Sequence, residues 1–300
     1  MTDATMTDST SAAPPRRNWK QNRIARVLIM FATLMLIYVG GMFAISLGSK
    51  KIPADKTAIA TLGVALTVFL SLWAYAGLVH RLERRRPIAE LRPRAALPAL
   101  VVGFIIGIGI ISAVIGLVML IGDATVALDT PPALPFAIIL MAAISGVCEE
   151  LIFRGALFRI AEEMFGTLVA LLISAVFFGG AHLGNPHATL VSSTAIAIEA
   201  GLLLGFAYTA TRSLWLPIGL HAGWNLTEGG IYSTSVSGDK VVHGVFVTAM
   251  KGPDLVTGGP FGPEASVVAV GVCTVLTIVF AVITLRRGEW KGLRLRIRAT

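Results

Sequence analysis

ALPFAIILMAAISGVCEELIFRGAL, residues 133–157, is the stretch from which the fold can be read. Apart from Glu149, Glu150 and Arg154, every side chain in it is apolar or small. About 20 apolar residues of helix cross the hydrocarbon of a bilayer. The stretch is therefore read as a membrane helix that carries three ionisable groups where charge is costly. Working outward, further apolar runs lie near residues 27–48, 57–79, 97–122, 166–183, 189–211, 214–228 and 265–285. The chain is expected to be all-α, a polytopic membrane helix bundle of about eight transmembrane helices, the seventh being short.

Composition supports this reading. The chain is 55% hydrophobic and 14% charged, against about 25% charged in an ordinary soluble domain. Its net charge is +8, but the basic residues flank apolar runs, so no nucleic-acid partner is expected and the lipid bilayer accounts for them. Cys148 and Cys273 both lie inside apolar runs and suggest no disulfide framework. The run from Val27 to Leu47 is too long for a signal peptide and no cleavage site follows it, which predicts an uncleaved first helix. Basic clusters at Arg16–Arg26, Arg81–Arg94 and Arg286–Arg298 fall on one side if the helix count is even. That side is assigned to the cytoplasm, with both termini, in what is expected to be the plasma membrane.

The ionisable residues in apolar runs concentrate in the second half: Glu149, Glu150, Arg154, His182, Glu199 and His221. Glu150 and Arg154 are four apart on a helix, acid first, the favourable orientation for an ion pair. Glu149 points about 100° away and lacks that partner, which leaves it available as a base. His182 ends the run Phe178-Gly179-Gly180-Ala181-His182, whose glycines permit close helix approach. His221 and Asn225 are four apart and share a helix face. The midpoint between Glu149 and His182 falls between Phe165 and Gly166, in the stretch predicted to turn. An antiparallel hairpin there sets both residues about 24 Å from the turn, at one level.

Two hydrolytic chemistries suit these groups. In one, His182 and His221 bind zinc and Glu149 deprotonates its water. In the other, equally open, no metal is bound: Glu149 and His182 activate water, and His221 with Asn225 stabilises the oxyanion. The sequence has no Gly-x-Ser-Gly, no His-Glu-x-x-His and no Gly-x-Gly-Asp, which argues against serine, site-2 and aspartyl intramembrane proteases. A Cys148–His182 thiol pair lacks a group to form the thiolate.

Glu149-Glu150-x-x-x-Arg154, Phe178-x-x-x-His182 and His221-x-x-x-Asn225 resemble, in order, the motifs of the CAAX-protease and bacteriocin-processing (CPBP, Abi-type) family of intramembrane metalloproteases. The resemblance covers roughly residues 130–230. It implies an eight-helix fold around a cavity, with Glu149 as water-activating base and His182 assisting. It also implies that His221 and Asn225 hold the oxyanion, or that His221 joins His182 on a metal, with Glu150 and Arg154 orienting the site. The chain then divides into a disordered cytoplasmic tail (1–22), N-terminal membrane helices (23–128), a catalytic membrane core (129–230), an irregular extracytoplasmic segment (231–264), and a last helix with a basic cytoplasmic tail (265–300).

The expected function is an endopeptidase acting on a membrane-associated peptide or protein. A silent scaffold or bacteriocin-immunity factor of the same fold is one rival, and a proton-coupled transporter another. Glu199 is expected to line the cavity or pair with an arginine. His187 and His243 are expected in loops, and His80 at the membrane interface. Trp215, Trp224 and Trp290 are read as interface or packing aromatics.

Overall fold

In hydrocarbon each backbone polar group must bond within its own segment, so long apolar runs become helices. The computed structural model describes residues 22–51 and 56–293. The tail assigned to residues 1–22 therefore falls, but for Asn22, outside the described residues, as does the basic end beyond Leu293. Helices α1 (Arg23–Lys51), α2 (Lys56–Glu83), α3 (Ala96–Leu120), α4 (Phe136–Phe165), α5 (Thr167–Ala181), α6 (Leu190–Thr211), α7 (Trp215–Asn225) and α8 (Val267–Arg286) follow the eight apolar runs. Seven of the runs are long and apolar enough to span a bilayer. The eighth, α7, continues through an i→i+5 turn at Leu226–Ile231 and is almost wholly buried within the bundle. Large apolar side chains such as Leu36, Leu62, Trp73 and Ile105 are exposed on the outside, as a lipid-facing surface requires. The chain is an all-α integral membrane protein.

The bundle is held at two close helix crossings. Gly103 and Gly107 of α3 lie against the backbone of Leu216, Leu220 and Trp224 on α7. Gly219 and Gly223 of α7 lie against Leu100 and Phe104 on α3. A Cβ at any of the four would collide with main chain, so the small-xxx-small spacing on both helices sets their separation. In the second crossing, Gly179 of α5 meets Ser193 and Ala197 of α6, while Gly180 faces open space. Only the first of the two adjacent glycines thus serves close approach. The predicted hairpin turn is at Gly166, whose φ of +90° is one a Cβ would oppose.

The segment expected to be irregular contains a strand. β2 (Phe246–Met250) pairs antiparallel with β1 (Ala124–Leu128), from the connection after α3, with Ala124 opposite Met250. The pairing places the 121–135 connection and the 231–264 segment on the same end of the bundle, and Asn185 of the α5–α6 connection donates to Ser237 O there (3.0 Å).

The opposite end carries an ionic belt. Arg26 pairs with Glu163 (2.6 Å), Arg159 with Glu83 (2.8 Å), and Glu162 with both Arg212 and Lys291 (2.6 Å each). Glu90, in the loop after α2, accepts from Arg85 (2.8 Å) and from Tyr75 (2.6 Å). Burial disfavours its charge, but Arg85, Arg159 and Tyr75 outweigh that and hold its carboxyl at about 2.

Candidate active site

Three helices, α4, α6 and α7, meet around the Glu150–Arg154 pair. Its Oε1 accepts from Arg154 Nη1 at 2.9 Å and lies 3.0 Å from His221 Nδ1, with the Glu150 and Arg154 side chains wholly buried. The pairing occurs although residues Leu151–Phe158 of α4 wind with i→i+5 bonds rather than as ordinary α-helix. Arg154 Nη2 also donates to Ala200 O (2.7 Å) and Gly201 O (3.2 Å). These carbonyls belong to a second i→i+5 stretch, Ala197–Leu202 of α6. Such wide turns leave carbonyls free for an outside donor. A buried ion pair needs its remaining hydrogens used as well; the α6 carbonyls take those of Arg154 Nη2, while Arg154 Nε and Glu150 Oε2 stay buried without a partner among the described residues.

Phe178 is the hub on the other side. The Arg154 guanidinium lies 4.5 Å from its ring centroid. The rings of His182 and His221 lie 4.8 Å and 6.1 Å from it. His182 Nδ1 is 2.8 Å from Phe178 O. A carbonyl can only accept, so Nδ1 carries the proton and neutral His182 keeps a lone pair on Nε2. His182 stands at the C-terminal end of α5, and the α5–α6 connection that follows contacts the 231–264 segment. The motif residues therefore lie on the side of the ionic belt away from the basic loops.

Glu149 differs from the sequence expectation in one respect. It has no arginine, as expected, but it is not free: Tyr38 of α1 donates its hydroxyl to Glu149 Oε1 at 2.9 Å. Glu149 Oε2 is buried with no partner among the described residues. His221 and Asn225 both turn toward α4, where Asn225 Nδ2 donates to Ser145 Oγ at 2.9 Å. Glu150, Arg154 and His221 are thus brought together, Asn225 joins α4 one turn away at Ser145, Phe178 links His182 to Arg154 and His221, and Glu149 is held separately by Tyr38. The Cys148 thiol lies 3.4 Å from Ser71 Oγ and has no imidazole partner.

The zinc alternative can be tested against the donors. His182 and His221 each retain Nε2. Among the described residues, however, no three His, Cys, Asp or Glu side chains are grouped to hold a metal ion. A catalytic zinc takes three protein ligands. The donor set does not fit, and no step is derived through a metal.

Three further acids surround this region. Glu199 is fully buried, and among the described residues neither of its oxygens has a partner, arginine included. Glu228, also fully buried, accepts from Trp224 Nε1 at 2.9 Å, and its carboxyl lies against that of Glu264. Glu264 accepts from the Ser237 amide and hydroxyl (2.8 Å each) and lies within electrostatic range of His182. Burial pushes the Glu264 carboxyl above its ordinary range. Sequence reasoning missed Glu228, although it closes an apolar run and the cost of charge there would have flagged it. Tyr38, Ser145 and Glu264 carried no such signal. His187 lies exposed in a loop, and His243 Nδ1 is 3.3 Å from Asp129.

Comparison with known proteins covers the same region. Residues 131–227 match the family model described as Type II CAAX prenyl endopeptidase Rce1-like. The Bacillus subtilis (strain 168) protein named Putative membrane peptidase YdiL is 33% identical over 98 residues, which are 33% of this chain and 38% of that protein. The chain thus aligns with well under half of that relative's length. No solved structure matches. The three motifs lie within residues 131–227. Through that membrane core, the chain is similar to the type II CAAX prenyl endopeptidase Rce1-like family.

Proposed function

We propose that this protein is an intramembrane endopeptidase that hydrolyses a peptide bond in a membrane-associated protein or peptide. The observation that carries the reading is the asymmetry at Glu149. One oxygen is fixed by Tyr38, and the other is buried without a partner among the described residues, within electrostatic range of His221. A carboxylate held so is oriented without being satisfied, which is what a general base needs.

In this reading a water lies against Glu149 Oε2 and His182 Nε2. Glu149 takes one proton as the water oxygen attacks the scissile carbonyl carbon. The tetrahedral oxyanion faces His221 and Asn225, whose amide gives one hydrogen to Ser145 Oγ and the other only to the weak acceptor Met141 Sδ at 3.8 Å, which an oxyanion would displace. His221 donates from Nε2 only as imidazolium, the form that the Glu150 carboxylate at Nδ1 supports. Collapse breaks the C–N bond, and the proton on Glu149 passes to the leaving amine. Arg154 positions Glu150, and Tyr38 positions Glu149.

The test is comparative proteomics of membrane fractions from cells carrying wild-type or Glu149→Gln protein, followed by cleavage assays on any peptide that accumulates. Glutamine can still accept from Tyr38 but cannot take a proton. The expected loss in kcat is about 10²–10⁴-fold. Wild-type cleavage by the variant would remove Glu149 from the chemistry.

A proton-coupled transporter is the rival that one observation favours: buried Glu199, Glu228 and Glu264, the last within electrostatic range of His182, resemble a relay. pH-driven uptake into liposomes that survives Glu149→Gln and is lost in Glu199→Gln would favour it.

A further inference from the structure

A second site, lined by none of the motif residues, lies at the basic end of the bundle. A cavity of about 520 Å3 opens between α1 and α2. Its walls are apolar, from Trp73, Ala74, Gly77 and Leu78, and its rim is basic, from His80, Arg81 and Arg86. The rim is organised: Arg86 Nε donates to His80 Nδ1 at 3.0 Å, which draws the loop guanidinium back toward the end of α2. Its cations are also unspent. Arg26, Arg85, Arg159 and Arg212 all pair with carboxylates in the neighbouring belt. Arg81 and Arg86 have no carboxylate partner among the described residues and are exposed. Gly77 makes the depth: a Cβ there would meet nothing within 4 Å.

We infer that this cavity binds one anionic phospholipid, its phosphate on Arg81 and Arg86 and the upper part of an acyl chain against Trp73 and Gly77. The volume suits a small-molecule site. The order of chemistries, cationic at the membrane interface and apolar toward the hydrocarbon, matches a lipid and not a free anion, which has no use for the apolar wall. A general interfacial attraction of basic residues for anionic lipid does not need a cavity and is separated from the proposal by the test.

Purified protein is titrated with phosphatidylglycerol or with phosphatidylcholine of the same chains, and bound lipid is counted by native mass spectrometry. Wild type is expected to prefer phosphatidylglycerol by about tenfold or more. The double variant Arg81→Gln/Arg86→Gln should lose that preference. Gly77→Phe should reduce binding of the lipid with every charge in place. Arg92→Gln/Arg94→Gln, which removes two exposed cations outside the cavity, should change nothing. Equal retention of the two lipids by wild type overturns the proposal without any variant. So does an equal loss in the Arg92/Arg94 control, which would mean diffuse surface charge. Displacement of the lipid by millimolar inorganic phosphate, with Gly77→Phe binding as wild type does, would mean an anion site alone.

Discussion

At the scale of single residues, Tyr38 and Glu90 make the most definite predictions. Tyr38→Phe removes the one hydrogen bond that orients Glu149. A neutral donor to a carboxylate is worth about 1.5–3 kcal/mol. If Tyr38 orients the base, kcat should fall by about tenfold or more while KM stays, because the substrate does not need that hydroxyl to bind. An unchanged kcat would make the contact a packing accident. Glu90 tests the ionic belt instead. Its carboxyl is held at about 2, below the ordinary 4.5. A depressed acid adds stability above its unfolded pKa, and that stability disappears as pH falls through the folded value. Wild type should therefore lose up to about 3 kcal/mol between about pH 4.5 and pH 2. Glu90→Gln should be less stable at neutral pH and show a flatter acid limb in thermal unfolding in detergent. A parallel acid limb would mean that Glu90 is not the group responsible. As candidates, Glu149, Glu150, Arg154, His182 and His221 stand out in the sequence because a charge or imidazole in an apolar run is conspicuous, and Asn225 by its four-residue spacing from His221. Tyr38 does not, since one tyrosine in a lipid-facing helix is ordinary and its partner lies 111 positions away.

At the scale of elements, the crossing of α3 and α7 sets where His221 and Asn225 point. Gly107→Leu would drive the two backbones apart at Leu220 and Trp224. Overpacking of this kind costs about 1–3 kcal/mol or more. The variant should lose both folded yield and activity. Gly109→Ala, two residues on and facing open space, should be silent in the same expression and melting assays. Equal behaviour of the two would mean that the close approach is not needed. The spacing of Gly103 and Gly107 was visible in the sequence, but not the helix it faces. The i→i+5 stretches in α4 and α6 were hidden altogether. They arise where Arg154 claims the Ala200 and Gly201 carbonyls, a tertiary demand that no local propensity encodes.

At the scale of the whole molecule, the two ends of the bundle differ in chemistry. One carries the ionic belt and the basic loops, and the other the β1–β2 ribbon and the 231–264 segment. By the positive-inside tendency the first should face the cytoplasm. Single cysteines at Arg84 and Val241 test this, because native Cys148 and Cys273 are buried and give little background. A membrane-impermeant maleimide applied to intact cells should label position 241 and spare position 84. Labelling at 84 alone would invert the topology. Hydropathy and charge run along the chain and need no neighbours, so the sequence by itself determined the membrane class, the helix count, the hairpin turn near Gly166 and the order of the motif residues. The tertiary structure alone decided that Glu149 is held by Tyr38, that His221 answers to Glu150, that Glu199 has no arginine among the described residues, and that a strand hides in a loop. Each of these is a contact between segments distant in the chain, and the pattern of one segment carries no information about which other segment will be laid against it.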